Sequence, residues 1–243
     1  MPLIRQIISE DRCCLSYIIA CPSYGVAVLI DPASDTDQYT EILKRMRLDL
    51  KAVIETHIHA DHISGARKLS DLSGSDILMH EESNVAFNFL PIKDRKKITL
   101  GNFTLEFIHT PGHTQESISI LYYDNRRNAT EPSSVLTGDT LFVGDVGRCD
   151  FSGKDASLQI YESITEKLMK LPDFTEVLPA HYAGSFCGSS MSPKTSSTIG
   201  YEKRSNPLLK CQSFSEFKKL LNESTLPEIP DKEKIRKINM GVS

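Results

Sequence analysis

The sequence predicts an α/β layered fold, a sandwich of two mixed β-sheets with helices on the outside. Three observations predict it. Eight short apolar segments rich in β-branched residues recur along the chain. Segments of helical period fall between only some of them. Two strands precede the first helix and later strands come in adjacent runs, where a single parallel sheet would alternate strand and helix throughout.

The elements follow in chain order. LSYIIAC from Leu15 and GVAVLID from Gly25 are the first two strands, and YTEILKRM from Tyr39 is the first helix. AVIET from Ala52 returns to strand, ARKLSDL from Ala66 to helix, and DILMH from Asp76 to strand. TLEFIHT from Thr104 and SISILYY from Ser117 form an adjacent pair. The polar, Pro-containing DNRRNATEPSS from Asp124 is a surface loop before the strand SVLTG from Ser134. Leu158, Tyr161, Ile164, Leu168 and Leu171 mark one face of a longer helix, and EVLPA from Glu176 is the last strand. Beyond His181 the chain becomes rich in Gly and Ser, then forms a short helix around Phe214 to Leu221 and a basic, Pro-bounded end. Residues 1–243 therefore read as a single domain, with 183–243 a tail packed on it.

Composition narrows the function classes. A chain with 40% hydrophobic and 25% charged residues is globular, not disordered or coiled-coil. The apolar run Val26 to Ile30 falls far short of a membrane span, and MPLIRQIISEDRCC carries no secretory signal, so a cytoplasmic location is expected, without a membrane. A net charge of -4 offers no footprint for nucleic acid. The six cysteines include no Cys-x-x-Cys pair and read as reduced thiols.

The chemistry concentrates in THIHADHISG. His57, His59, Asp61 and His62 fall within six residues directly after an apolar strand. In an extended stretch, residues two apart point the same way, so His57 and His59 can address one ion while Asp61 and His62 address a neighbouring position. Three further strands end in a ligand type: His113, Asp139 and His181. Imidazole and carboxylate donors suit zinc, iron or manganese better than calcium or magnesium. Gly112 and Gly138 are expected to allow the turns that aim His113 and Asp139. His80 and His109 read as packing or supporting residues. Cys13, Cys14, Cys21, Cys149 and Cys211 are assigned no role.

The intact His-x-His-x-Asp-His pattern from His57 to His62, followed in order by His113, Asp139 and His181, resembles the metallo-β-lactamase superfamily. The likeness covers nearly the whole chain and implies an αββα sandwich with a metal site along one edge. ETHIHADHISG, HTPGHTQES, LTGDTLFVGDVGRCDF, LPAHYAGSFCG and STIGYEKRSNP look like the persulfide dioxygenases, including the kind fused to a rhodanese domain. That resemblance implies one Fe(2+) per chain held by His57, His113 and Asp139, with His59, Asp61, His62 and His181 as surrounding or second-metal positions. It implies oxidation of a low-molecular-weight thiol persulfide, such as glutathione persulfide, with O2 to sulfite and free thiol. Two imidazoles and a carboxylate on one face of iron suit that chemistry, because they leave positions open for sulfur and dioxygen. Arg148 is the expected clamp on a substrate carboxylate. Tyr182 is expected at the substrate wall, and Cys187 is a candidate acceptor of sulfane sulfur. With no rhodanese segment before Ser243, a separate rhodanese-type sulfurtransferase is the expected sulfur donor; a homodimer is compatible with the pattern.

The same seven residues also serve a glyoxalase II-like thioester hydrolase with two Zn(2+) per chain. There His57, His59 and His113 hold one ion, Asp61, His62 and His181 the other, and Asp139 bridges them. Ligand identity alone does not separate the two. A non-catalytic persulfide-binding or sensing module built on Cys187 is the alternative from another class.

Overall fold

The computed structural model describes residues 1–153 and 155–242. Two six-stranded sheets pack face to face. The first contains β1 (Leu3–Ser9), β2 (Cys14–Cys21), β3 (Val26–Ile30), β4 (Asp49–Ile54), β5 (Asp76–His80) and β6 (Leu90–Ile92), in that order. The second contains β7 (Lys97–Leu100), β8 (Phe103–His109), β9 (Ile118–Asp124), β10 (Ser134–Gly138), β11 (Glu176–Pro179) and β12 (Ser197–Thr198), also in order. Both sheets are mixed. β1, β2 and β3 pair antiparallel while β3 to β6 run parallel, and β10 and β11 form the parallel pair of an otherwise antiparallel second sheet.

Patterning explains the layers. β2 and β3 read as continuous apolar runs because both of their faces are covered, whereas the edge strand β1 alternates toward solvent. Between the sheets, Tyr17, Ile19, Val28 and Ile30 meet Phe103, Phe107, Ile118 and Ile120. Tyr17 carries its hydroxyl across the interface to the Pro179 carbonyl at 2.6 Å, which satisfies a phenol buried between apolar faces. On the outer face of the first sheet, α1 (Asp37–Met46) buries Tyr39 and Leu43, four residues apart, and α2 (Ala66–Ser73) buries Ala66 and Leu69. The second sheet is covered by α3 (Ala156–Glu162), α4 (Ile199–Ser205) and α5 (Phe214–Glu223). The last helix, α6 (Lys232–Met240), returns to the first sheet's end of the molecule, where Met240 packs on its outer core.

All eight expected strands are present, and β1, β6, β7 and β12 are added. These are short or at sheet edges, where an apolar run is not required. The long helical stripe needs correcting. Leu158 is 37% exposed, and the buried line runs through Ala156, Ile160, Ile164 and Leu168. Leu158 lies about 200° around the helix from Ile160. A π turn at Ser163–Lys167 then inserts the residue that keeps Ile164 and Leu168 on one side. The segment after His181 supplies the edge strand β12 and the helices α4 to α6.

Candidate metal centre

Topology brings the ligand types to one edge. β8 and β10 are both antiparallel to β9, and β11 runs parallel to β10, so the carboxyl ends of β8, β10 and β11 lie together. β4 in the other sheet ends at the same edge, where the Ile118 N–H bonds the Thr56 carbonyl at 2.9 Å. β2 is antiparallel to β3, so its first residue, Cys14, starts where β3 and β4 finish. Leu15 N–H donates to the Ala180 carbonyl at 2.7 Å and ties that start to the end of β11.

Asp139 leaves β10 through Gly138, which sits at φ +52° beside a register shift of the β10/β11 pair. A Cβ there would meet Thr56 Oγ1 at 2.7 Å, so both the turn and the close packing call for glycine. Gly112 takes φ +138° where the loop carrying His113 presses on Ile160. The loop from His57 to His62 is pinned on several sides. Glu116 accepts the Ile58 N–H at 2.9 Å, and Arg12 donates to the Asp61 carbonyl at 3.2 Å. Asn239 of α6 accepts the Ser64 N–H and donates to the His59 and His62 carbonyls at 2.9 and 2.8 Å.

Among the described residues four buried groupings result, one of which, Asp139 with His181 and Cys187, overlaps two of the others. The first is His57, His113 and Asp139, whose donor atoms lie within 4.8 Å of one another. Asp139 Oδ2 is 3.4 Å from His113 Nε2 and 3.9 Å from His57 Nε2. Each side chain is fixed from behind. His113 Nδ1 is 2.9 Å from the Arg148 carbonyl, His57 Nδ1 is 3.0 Å from Thr56 Oγ1, and Asp139 Oδ1 is 2.7 Å from His181 Nδ1. Those contacts orient the ligand-type atoms forward, as outer partners of metal sites do. Asp139 Oδ2 and His57 Nε2 are buried with no hydrogen-bond partner among the described residues. Unpaired groups of this kind cost about 1–3 kcal/mol each, so the residues fit a cation bonded at about 2.0–2.2 Å. Burial, reinforced by His59, keeps His57 well below the usual histidine range, and burial also lowers His113, so both offer a neutral lone pair. Burial opposes the charge of Asp139, but His181 and His57 hold its carboxyl far below the ordinary range.

The second grouping joins His59, whose ring lies 4.2 Å from that of His57, to Asp31 and Glu55. Its Nε2 lies 2.9 Å from Glu55 Oε2 and 3.3 Å from Asp31 Oδ1, although at angles that complete no hydrogen bond. Burial works against its charge, yet Asp31 and Glu55 carry it well above the usual histidine value. The two rings lie side by side, but His59 directs Nε2 to these carboxylates. β4 ends at Ile54, the backbone after it turns, and period-two alternation no longer applies. Asp31 is held in place by the N–H and hydroxyl of Thr56, both at 2.7 Å.

The third grouping is Asp61, His62 and His181 together with Cys14, all buried. Cys14 had no assigned role, because a cysteine opening an apolar strand carries no motif. Only the antiparallel pairing of β2 with β3 puts it at this edge.

The expected substrate residues are placed differently. Arg148 is 6% exposed and directed inward. Its Nε and one terminal nitrogen grip Asp150 at 2.7 and 2.8 Å, and the other terminal nitrogen donates to the Phe186 and Pro227 carbonyls. A guanidinium so engaged is a clasp between loops. Cys187 is buried against Phe142 and Met191, and burial with Asp139 nearby pushes its thiol well up, which opposes a reactive thiolate. Tyr182 packs partly buried at the edge of the inter-sheet core. His80 and His109 stack on each other at 3.9 Å. Phe151 was not anticipated. Its ring lies 5.4 Å from that of His113, with Arg236 and Lys232 at 5.4 and 6.0 Å.

Comparison with known proteins adds three findings. Residues 12–181 match the family described as the metallo-beta-lactamase superfamily. The chain is 32% identical over 228 residues to the human mitochondrial persulfide dioxygenase ETHE1, covering 93% of this chain and 83% of that one. It superposes on a metallo-beta-lactamase from Staphylococcus aureus with TM-score 0.90 at 31% identity, covering 98% of this chain and 72% of the other. It superposes on ETHE1 from Myxococcus xanthus with TM-score 0.85 at 30% identity, covering 98% of both.

Proposed function

The chain belongs to the metallo-beta-lactamase superfamily, and from that premise we propose that it is an iron-dependent persulfide dioxygenase. It oxidises a low-molecular-weight thiol persulfide such as glutathione persulfide with O2 to sulfite and the free thiol. One persulfide, one O2 and one water give one thiol, one sulfite and two protons: the S–S bond breaks, the outer sulfur is oxidised and dioxygen is reduced. The reading includes work in the cytoplasm and supply of the substrate sulfur by a separate rhodanese-type protein.

The observation that carries the proposal is the diversion of His59. A dinuclear hydrolase needs a His59 nitrogen on the same ion as His57 and His113, but His59 turns Nε2 to Glu55 and Asp31 and groups with them, although its ring lies beside that of His57. What remains at the first centre is two imidazoles and one carboxylate. Iron bound there supplies open positions for sulfur and dioxygen and the electron exchange between them. The chain's own groups do the positioning. Thr56 and the Arg148 carbonyl leave His57 and His113 presenting Nε2, and His181 occupies one oxygen of Asp139 so that the other faces the centre. Lys232 and Arg236 around Phe151 put positive charge beside His113, which suits an anionic carrier such as glutathione.

The test is oxygen uptake with glutathione persulfide after anaerobic ferrous loading, with sulfite measured in parallel. Equimolar uptake and sulfite are expected; no uptake from an iron-replete, folded chain overturns the proposal. The grouping around Asp61, His62 and His181 favours a second reading as a zinc thioester hydrolase. It predicts thiol release from S-lactoylglutathione without oxygen.

A further inference from the structure

We infer that His80, Glu82 and His109 form a binding site for a zinc-class divalent cation, apart from the centre built on His57, His113 and Asp139. β5 runs parallel to β4 and ends in His80, and β8 ends in His109, so each sheet delivers one imidazole to the edge that carries the ligand loops. The two rings stack with centroids 3.9 Å apart and planes inclined by 15°. Glu82 lies in the turn that follows β5, and donor atoms of all three residues lie within 4.8 Å of one another.

The hydrogen bonds decide which nitrogens are free. A carbonyl only accepts, so His109 Nε2, 2.8 Å from the Gln115 carbonyl oxygen, carries the proton and Nδ1 presents the lone pair. A metal-ligating imidazole has that pattern, its other ring nitrogen donating to a backbone carbonyl. His80 Nδ1 accepts the Glu82 N–H at 3.3 Å, longer than the usual range for such bonds, so a cation displaces it at small cost. Burial, reinforced by the neighbouring His109, keeps His80 below the usual histidine range and so in the neutral form that a cation needs. Parallel rings do not aim two lone pairs at one ion; rotation about Cβ–Cγ, a broad torsion in histidine, supplies the tilt.

Two imidazoles with one carboxylate favour zinc, nickel or copper over magnesium or calcium. Glu81 and Asp94 add negative charge around His80. Of the nearby cations, Lys93 pairs with Glu81 at 3.7 Å and Lys167 donates to the His109 carbonyl. His80 is buried while the Glu82 side chain is exposed, so the cluster opens to solvent on the Glu82 side. Three protein ligands leave a fourth position for water. An ion held here ties the end of β5 in one sheet to the end of β8 in the other. Gln115, gripped by His109, lies just past His113, so the same ion braces the loop that presents His113. The geometry stands whatever the first centre binds.

The test is zinc uptake by the metal-free full chain at micromolar free zinc, followed by equilibrium dialysis. The wild-type chain is expected to take up one ion more than His109→Gln, with the affinities of the remaining ions unchanged. Glu82→Gln changes only an exposed side chain, and there the extra ion is expected to bind at least about 10-fold more weakly. Circular dichroism reports the folding of both variants. Zinc-edge anomalous diffraction from soaked wild-type crystals is expected to show a peak within bonding distance of His80, Glu82 and His109. Equal uptake and affinity in all three chains, or no peak at those residues at saturation, overturns the inference. Oxygen uptake is measured separately, so failure of the dioxygenase proposal leaves this result untouched, and the reverse holds too.

Discussion

Gly147→Ala is the most exacting perturbation of the centre, because it changes no ligand. A Cβ on Gly147 would lie 1.8 Å from the Asp139 carbonyl oxygen, 3.0 Å from its carbonyl carbon and 3.4 Å from His113 Cβ. Unbonded carbon and oxygen approach to about 3.3 Å, so the Asp139 backbone and residue 147 must separate by roughly 1.5 Å. Metal sites tolerate about 0.2 Å in ligand distance, and a 1 Å misplacement costs about 100-fold in turnover. The variant is expected to lose roughly two orders of magnitude in oxygen uptake and to bind ferrous iron weakly. Overpacking should lower the stability of the metal-free chain by about 1–3 kcal/mol. Anaerobic iron titration separates the effects from simple unfolding, which circular dichroism follows. Unchanged iron affinity in a folded Gly147→Ala chain would refute the reasoning.

Three other predictions concern the supports. Arg148→Lys replaces a planar fork with a point charge and cannot hold Asp150 and two carbonyls together; thermal unfolding should fall and kcat should drop, whereas a rise in KM alone would restore the substrate clamp. Asn239→Ala removes three hydrogen bonds to Ser64, His59 and His62, at a cost of about 2–4 kcal/mol in urea unfolding; a loss near zero would show that α6 does not brace the histidine loop. Glu106 titrates below the ordinary 4.5 because, against the opposing effect of burial, Tyr123 and Lys97 hold its ionised form. Its folded pKa is depressed, so its stabilisation is present above the unfolded value and is lost as pH falls through the folded one. Glu106→Gln should therefore flatten stability on the acid side, below about pH 4.5, in urea unfolding across a pH series. An acid limb as steep as the wild type's would contradict this.

Much of the architecture was legible because central strands cannot hide. VAVLI is apolar throughout and SVLTG is buried throughout, since both of their faces are covered, and a ligand type at a strand end marks the edge where loops gather. The edge strand LIRQIIS was missed because Arg5 sits on its exposed face while Gln6, on the other, donates to the Tyr17 hydroxyl and the Thr195 carbonyl, so the apolar pattern is broken. At the site, local spacing identified His57 to His62 but not the direction of His59 Nε2, which depends on carboxylates at the ends of β3 and β4. A signal for them existed: VLID and VIET end in Asp31 and Glu55 by the same pattern that flagged His113 and Asp139. Cys14 and Asn239 had no such signal, since each reaches the centre through long-range pairing or helix docking. Arg148 shows the opposite case, a charge that looks available along the chain but is consumed by loops 38 and 79 residues away.

Anomalous diffraction at the iron edge, from crystals loaded anaerobically with one equivalent of ferrous ion, tests the central claim most directly. The account predicts a single peak bonded by His57 Nε2, His113 Nε2 and Asp139 Oδ2, with His59 still turned to Glu55. A peak that includes His59 among its ligands, or one that lies away from those three residues, would contradict it.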